Sequence, residues 1–68
     1  MAQGTVTWYE SDKGYGFVRS DDGSDVYVHY SQIVTDGHRV LEAGQRVEFE
    51  VSDGARGPQA DNLRVVQT

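Results

Sequence analysis

The sequence predicts an all-β fold, a small closed or nearly closed barrel of five short strands. Three observations predict it. Apolar residues recur with a period of two along several short runs. Glycines and the pairs Asp22-Gly23, Asp36-Gly37 and Asp53-Gly54 punctuate those runs, and such pairs favour turns because glycine accepts positive φ without steric cost. No segment sustains a helical period. Five short strands in 68 residues favour closure, which removes exposed sheet edges.

The elements follow in order along the chain. Val6 marks the first strand. Val18, facing opposite to Phe17 and Arg19, marks the second. In the third, Val26 and Val28 alternate with Asp25, Tyr27 and His29. Residues Tyr30 to Val34 fit one short turn of helix, and Val40-Leu41 is placed to plug the core from a loop. In the fourth strand Val47, Phe49 and Val51 face one side while Arg46, Glu48 and Glu50 face the other. The segment from Asn62 to Val66 supplies the fifth.

This length has room for one domain, expected over residues 1–68. A chain so short buries a modest share of its surface and has no cysteine for a disulfide, so it must be economical. The absence of cysteine fits a reducing cytoplasm. The start Met1-Ala2-Gln3-Gly4 has neither a basic region nor an apolar run, and no stretch approaches membrane-spanning length. A cytoplasmic protein with no membrane partner is expected, with a monomer as the default state.

The net charge of −5 argues at first sight against nucleic acid, because phosphate binding needs cations. Net charge, however, says nothing of distribution. The six basic residues are Lys13, Arg19, Arg39, Arg46, Arg56 and Arg64, and the eleven acids are spread along the chain. Lys13 precedes the run Gly14-Tyr15-Gly16-Phe17, Arg19 shares the face of Phe17, and Arg39 and Arg56 fall in loops.

The alternation also sorts the aromatic residues. If Val18, Val26 and Val28 point inward, then Tyr15, Phe17, Tyr27 and His29 point outward. The ordinary address of a ring in a β-protein is the core, but here the inside is already claimed. A patch of outward rings on adjacent strands is a stacking platform for bases, worth roughly 1–3 kcal/mol per base whatever the sequence. Four of the rings are tyrosines, whose hydroxyls suit a wet surface. Gly14 and Gly16, with no side chains, permit tight curvature and close backbone approach. Tyr9 adjoins Trp8, so unless a bulge intervenes the two face opposite ways, with Tyr9 towards the core.

These same residues carry a resemblance. The run Lys13-Gly14-Tyr15-Gly16-Phe17-Val18 resembles the first ribonucleoprotein motif of the cold-shock domain, and Val26-Tyr27-Val28-His29-Tyr30 resembles the second. The opening Gly4-Thr5-Val6-Thr7-Trp8-Tyr9 and the loop Gly54-Ala55-Arg56-Gly57-Pro58-Gln59-Ala60 are similar to that family's as well, in the expected order. The resemblance implies an antiparallel oligonucleotide-binding (OB) barrel that binds single-stranded RNA and DNA, needs neither cofactor nor metal, and acts as an RNA chaperone. It implies nucleic-acid contacts at Trp8, Lys13, Tyr15, Phe17, Asp25, Tyr27, His29, Tyr30, His38 and Arg56. Trp8, Phe17, Tyr27, His29 and Tyr30 would stack on bases with Tyr15 flanking. Lys13 and Arg56 would hold the backbone, and Asp25 would accept a hydrogen bond from a base edge. The sequence departs from the family pattern at Thr7, where a lysine is usual, and at positions 9, 15, 27 and 30, where tyrosine replaces phenylalanine. His38 stands where many members carry an aromatic ring.

Two rival classes of function compete with this reading. An enzyme would draw on His29 and His38 with Asp25 or Asp36, but neither histidine lies in a metal-ligand spacing and no serine sits in a nucleophile motif. Gly14-Tyr15-Gly16 is no dinucleotide fingerprint, since Arg19 stands at the third glycine position and no helix follows. A small barrel that binds peptides on its aromatic face is the stronger alternative. The basic residues around the rings favour nucleic acid over it.

Overall fold

The structure is a computed structural model and describes residues 2–34 and 41–66. Its strands are β1 (Ala2–Glu10), β2 (Tyr15–Ser20), β3 (Asp25–His29), β4 (Arg46–Gly54) and β5 (Gly57–Val65), with a 3-10 turn at Tyr30–Gln32 after β3. They close into a barrel in the order β1-β2-β3-β5-β4. The all-β, five-stranded barrel expected from the sequence is therefore present. The β1–β2, β2–β3, β4–β5 and β1–β4 seams are antiparallel. The closing seam is parallel: Tyr27 lies opposite Gln59, and an isolated bridge joins Ile33 to Leu63.

The core follows from the alternation. Val6, Val18, Val26, Val28, Val47 and Phe49 point inward from four strands, and Ala60 and Leu63 complete the lining from β5. Leu41 enters from the loop ahead of β4, as expected, and Ile33 enters just after the 3-10 turn. The expectation for Val40 lies outside the described residues.

Ala60 and Leu63 are three apart, which simple alternation forbids. The explanation is a bulge. Pairing runs Glu48 with Arg64 and then Glu50 with Asp61, so β5 carries one extra residue there. Asn62 absorbs it at φ 51, in the left-handed region that asparagine tolerates better than most residues.

Three expectations need correction. Val51 is 51% exposed, not inward, because no residue of β4 beyond Phe49 is buried. The last strand begins at Gly57 rather than Asn62. Pro58 disguised its first half, yet the proline sits near the strand start, opposite Asp53, where it is tolerated. Asp53-Gly54 ends β4, while the hairpin turn itself is Ala55-Arg56 between the paired Gly54 and Gly57. Asp22-Gly23 does form a turn: the Ser24 N–H donates to Asp22 Oδ1 at 2.9 Å, and Gly23 takes φ +95.

A polar tie binds that turn to β4. Arg46 donates to both carboxylate oxygens of Asp21, at 2.8 and 2.9 Å, and to Thr5 Oγ1 at 2.9 Å. These bonds, with the guanidinium charge, hold the Asp21 carboxyl below the usual carboxylate range and raise Arg46 in turn. Asp22 is lowered as well, chiefly by the Ser24 backbone N–H.

Candidate nucleic-acid interface

The register of β2 and β3 builds the outer face. Gly16 pairs with Val28 and Val18 with Val26, and the two valine pairings fill the inside. The alternate pairs, Tyr15 with His29, Phe17 with Tyr27 and Arg19 with Asp25, therefore share the outside.

Trp8 reaches this face by a different device. Val6 pairs with Val18 and faces the core, so by alternation Trp8 would face the core too. One extra residue, Thr7, enters β1 between them, and Trp8 then lies opposite Phe17 while Tyr9 lies opposite Gly16. Trp8 is 38% exposed, and Tyr9 packs against the core. The expectation for both rings holds, but through a bulge ahead of Trp8.

Gly16 makes that arrangement possible. A Cβ there would sit 2.8 Å from Tyr9 Cα and overlap the Trp8 carbonyl oxygen, so only glycine lets β1 come this close. Burial, and secondarily the nearby Tyr30, push the Tyr9 phenol above its ordinary value.

Four rings now meet in one cluster. Trp8 lies 5.5 Å from Tyr15 and 5.7 Å from Phe17, centroid to centroid, and Tyr27 lies 5.8 Å from Tyr15 and 5.9 Å from Phe17. Their separations are those of favourable ring pairs, so the cluster holds its shape before any ligand arrives. His29 and Tyr30 form a second group, 4.5 Å apart. Tyr30 packs on Gly14, where a Cβ would lie 2.7 Å from its Cδ1, and Gly14 also needs its φ of +76. His29 Nδ1 accepts from the Ser31 N–H at 3.2 Å and lies 2.9 Å from Ser31 Oγ. In the neutral ring that leaves Nε2–H as the free donor.

The charges around the rings are mixed. Lys13 is exposed in the turn between β1 and β2. Arg56 reaches back from the β4–β5 turn, its guanidinium carbon 5.2 Å from the Tyr27 centroid and 5.9 Å from that of Tyr15. Arg19 Nε sits 3.3 Å from Asp25 Oδ1. Glu10, opposite Tyr15, and Asp25 also border the face, so it is less basic than the sequence reading allowed. The acids of β4, Glu48 and Glu50, lie on a strand that shares no seam with β2 or β3.

Of the residues expected to bind, the structure gathers Trp8, Tyr15, Phe17, Asp25, Tyr27, His29, Tyr30 and Arg56 on or beside this face. Lys13 stands in the turn next to it. His38, with Arg39, lies outside the described residues. Thr7 and Arg19 were not among the expected contacts, although alternation had put Arg19 on the face of Phe17; both join Trp8, Phe17 and Asp25 around a depression of about 260 Å³. What strand pairing adds is that Arg19 stands directly across from Asp25. Among the described residues, no group of three or more His, Asp or Glu side chains is placed to hold a metal. No helix among them is long and apolar enough to cross a membrane.

A closed five-stranded barrel bearing clustered rings and cations on the outer face of β1, β2 and β3 is a barrel of the oligonucleotide-binding class. The chain belongs to the cold-shock domain family: the family model described as "'Cold-shock' DNA-binding domain" matches residues 2–66. It is 56% identical over 61 residues to the cold shock-like protein CspC of Bacillus cereus, covering 90% of this chain and 94% of that one. It is 54% identical over 63 residues to cold shock protein 1 of Lactiplantibacillus plantarum, covering 93% and 96%. The major cold shock protein of Streptococcus pyogenes serotype M1 is 52% identical over 63 residues, covering 93% and 94%. Among solved structures, Drosophila Unr CSD456 shares the fold, with a TM-score of 0.79 at 21% identity. That match covers 97% of this chain, which spans 26% of the Unr structure. Proteins of this family bind nucleic acid and are not enzymes, and nucleic-acid binding is accordingly the activity of this member.

Proposed function

We propose that the protein binds single-stranded RNA and DNA, as a monomeric single domain in the cytoplasm, and keeps transcripts unstructured as an RNA chaperone. The observation that carries this reading is the contiguous cluster of Trp8, Tyr15, Phe17 and Tyr27, turned outward by strand register and by the Thr7 bulge. Only unpaired bases offer their faces to such rings, so the platform selects single strands over duplex. Trp8, Phe17, Tyr27, His29 and Tyr30 stack on bases with Tyr15 flanking. Lys13 and Arg56 hold phosphates, and Asp25 accepts a hydrogen bond from a base edge. His38 is assigned a contact on the resemblance alone. Stacking supplies most of the affinity, since cations near the rings are few.

The test uses Trp8, the sole tryptophan. Titration with a short oligopyrimidine at several salt concentrations should quench its fluorescence saturably. The slope of log K against log salt should lie at roughly −1.5 to −3, at about −0.7 per phosphate contacted. A matched duplex should bind far more weakly. Unquenched fluorescence, or equal affinity for duplex, would remove the stacking platform from the account.

A further inference from the structure

Among the described residues, Arg19 is the one cation beside the rings that the reading above leaves without a task. It stands directly across from Asp25 in the β2–β3 register, and both side chains lie on the outer face beside Phe17 and Tyr27. Its Nε meets Asp25 Oδ1 at 3.3 Å, with the side chains 64% and 59% exposed. An ion pair that open contributes little to stability, so fold maintenance is a poor explanation for it. Its location is more informative, because Arg19 and Asp25 line the same depression as Thr7, Trp8 and Phe17.

The hydrogen-bonding inventory of the pair decides what it can do. Nε is occupied by Oδ1, which leaves the Nη donors of Arg19 and the Oδ2 acceptor of Asp25 side by side. A donor next to an acceptor complements the edge of a nucleobase, where an N–H adjoins a carbonyl or a ring nitrogen. A phosphate offers acceptors only, and the Asp25 carboxylate would repel it. A base stacked against Trp8 or Phe17 would lie in the depression that the pair also lines.

We propose that Arg19 is a specificity-determining residue of the binding face. It orients the Asp25 carboxylate and donates beside it, so that the two together read one base edge. The inference rests on the single-strand reading and deepens it. In this role Arg19 adds affinity only for a base whose edge N–H is free, and contributes nothing to the salt slope.

A double-mutant cycle tests this with oligothymidylate and with the same oligomer carrying N3-methylthymine, which keeps the stacking face and loses the edge N–H. Affinities of wild type, Arg19→Ala, Asp25→Ala and the double variant are measured at two salt concentrations, with circular dichroism confirming that each folds. The expected result is a three- to tenfold loss for Arg19→Ala on oligothymidylate, the range of one or two lost hydrogen bonds. In the Asp25→Ala background the same change should cost less than twofold, and the methylated oligomer should show no loss at all. An equal loss on both oligomers, with the salt slope reduced by about 0.7, would make Arg19 a phosphate contact and overturn the proposal. Unchanged or increased affinity on oligothymidylate would overturn it as well. Those outcomes leave the single-strand reading standing, whereas wild-type protein that failed to bind oligothymidylate would overturn both.

Discussion

Gly16 carries two requirements at once. It lies in β2 beneath the point where β1 bulges, and any side chain there would strike the Trp8 carbonyl and the Tyr9 Cα. Those neighbours are backbone and cannot swing aside as a flexible side chain would. Gly16→Ala should therefore cost about 1–3 kcal/mol, the range for forced overpacking, and should shift the Trp8 emission as β1 moves off. Thermal unfolding and the fluorescence spectrum of the free protein read the two effects separately, and an unchanged melting temperature would show that β1 accommodates the methyl. The rings themselves behave differently because they point outward. Phe17→Ala and Tyr27→Ala should each weaken single-strand binding by about 1–3 kcal/mol while leaving the circular dichroism of the fold intact. Normal binding by either variant would put the platform elsewhere. The outward placement of Phe17 and Tyr27 was legible in the sequence, because valines two apart already filled the inside. That of Trp8 was not legible from alternation alone, since Val6 two residues earlier faces the core. Nothing in composition marks Thr7 as an extra residue; only pairing with β2 reveals it.

Elements differ in how far local pattern determines them. β2 and β3 obey strict alternation, and their valines and rings sort without ambiguity. β5 does not, because Pro58 and Gly57 hide its start and the bulge at Asn62 breaks its period. Its pairing is decided by what closes the barrel: antiparallel contact with β4 on one side and parallel contact with β3 on the other. The β4–β5 hairpin has a functional consequence as well, since its two-residue turn brings Arg56 over Tyr15 and Tyr27. A guanidinium held over two rings at the surface contributes only about 0.5–1 kcal/mol, so its loss should barely affect the fold. On the proposed reading its charge, beside Tyr15 and Tyr27, meets a phosphate of the bound strand. Arg56→Ala should weaken binding several-fold and make the salt slope shallower by about 0.7, the share of one phosphate. An affinity loss with an unchanged slope would mean that Arg56 stacks on a base and neutralises no phosphate.

At the scale of the whole molecule, an excess of acids must coexist with a face that binds a polyanion. Part of that excess is used structurally. Asp21 is held by Arg46 through two short bonds that link the β2–β3 turn to the start of β4, and Thr5 of the intervening β1 shares the same guanidinium. Asp22 instead accepts from the Ser24 backbone N–H and so shapes the turn. Both carboxyls are held below the ordinary value in the folded chain, which fixes the direction of the linkage. A carboxyl with a depressed folded value stabilises the native state above its unfolded value, and that contribution is lost as pH falls through the folded one. Stability should accordingly be level around neutrality and decline as pH drops below about 4, where unfolded aspartates take up protons. Arg46→Ala removes the larger cause at Asp21 and leaves the Ser24 bond to Asp22 untouched. That variant should be less stable at pH 7, and its further loss on acidification should be smaller than the wild type's without disappearing. Urea unfolding of both proteins at pH 7 and pH 3 measures this directly. Parallel declines would show that the tie between turn and strand contributes nothing to acid sensitivity.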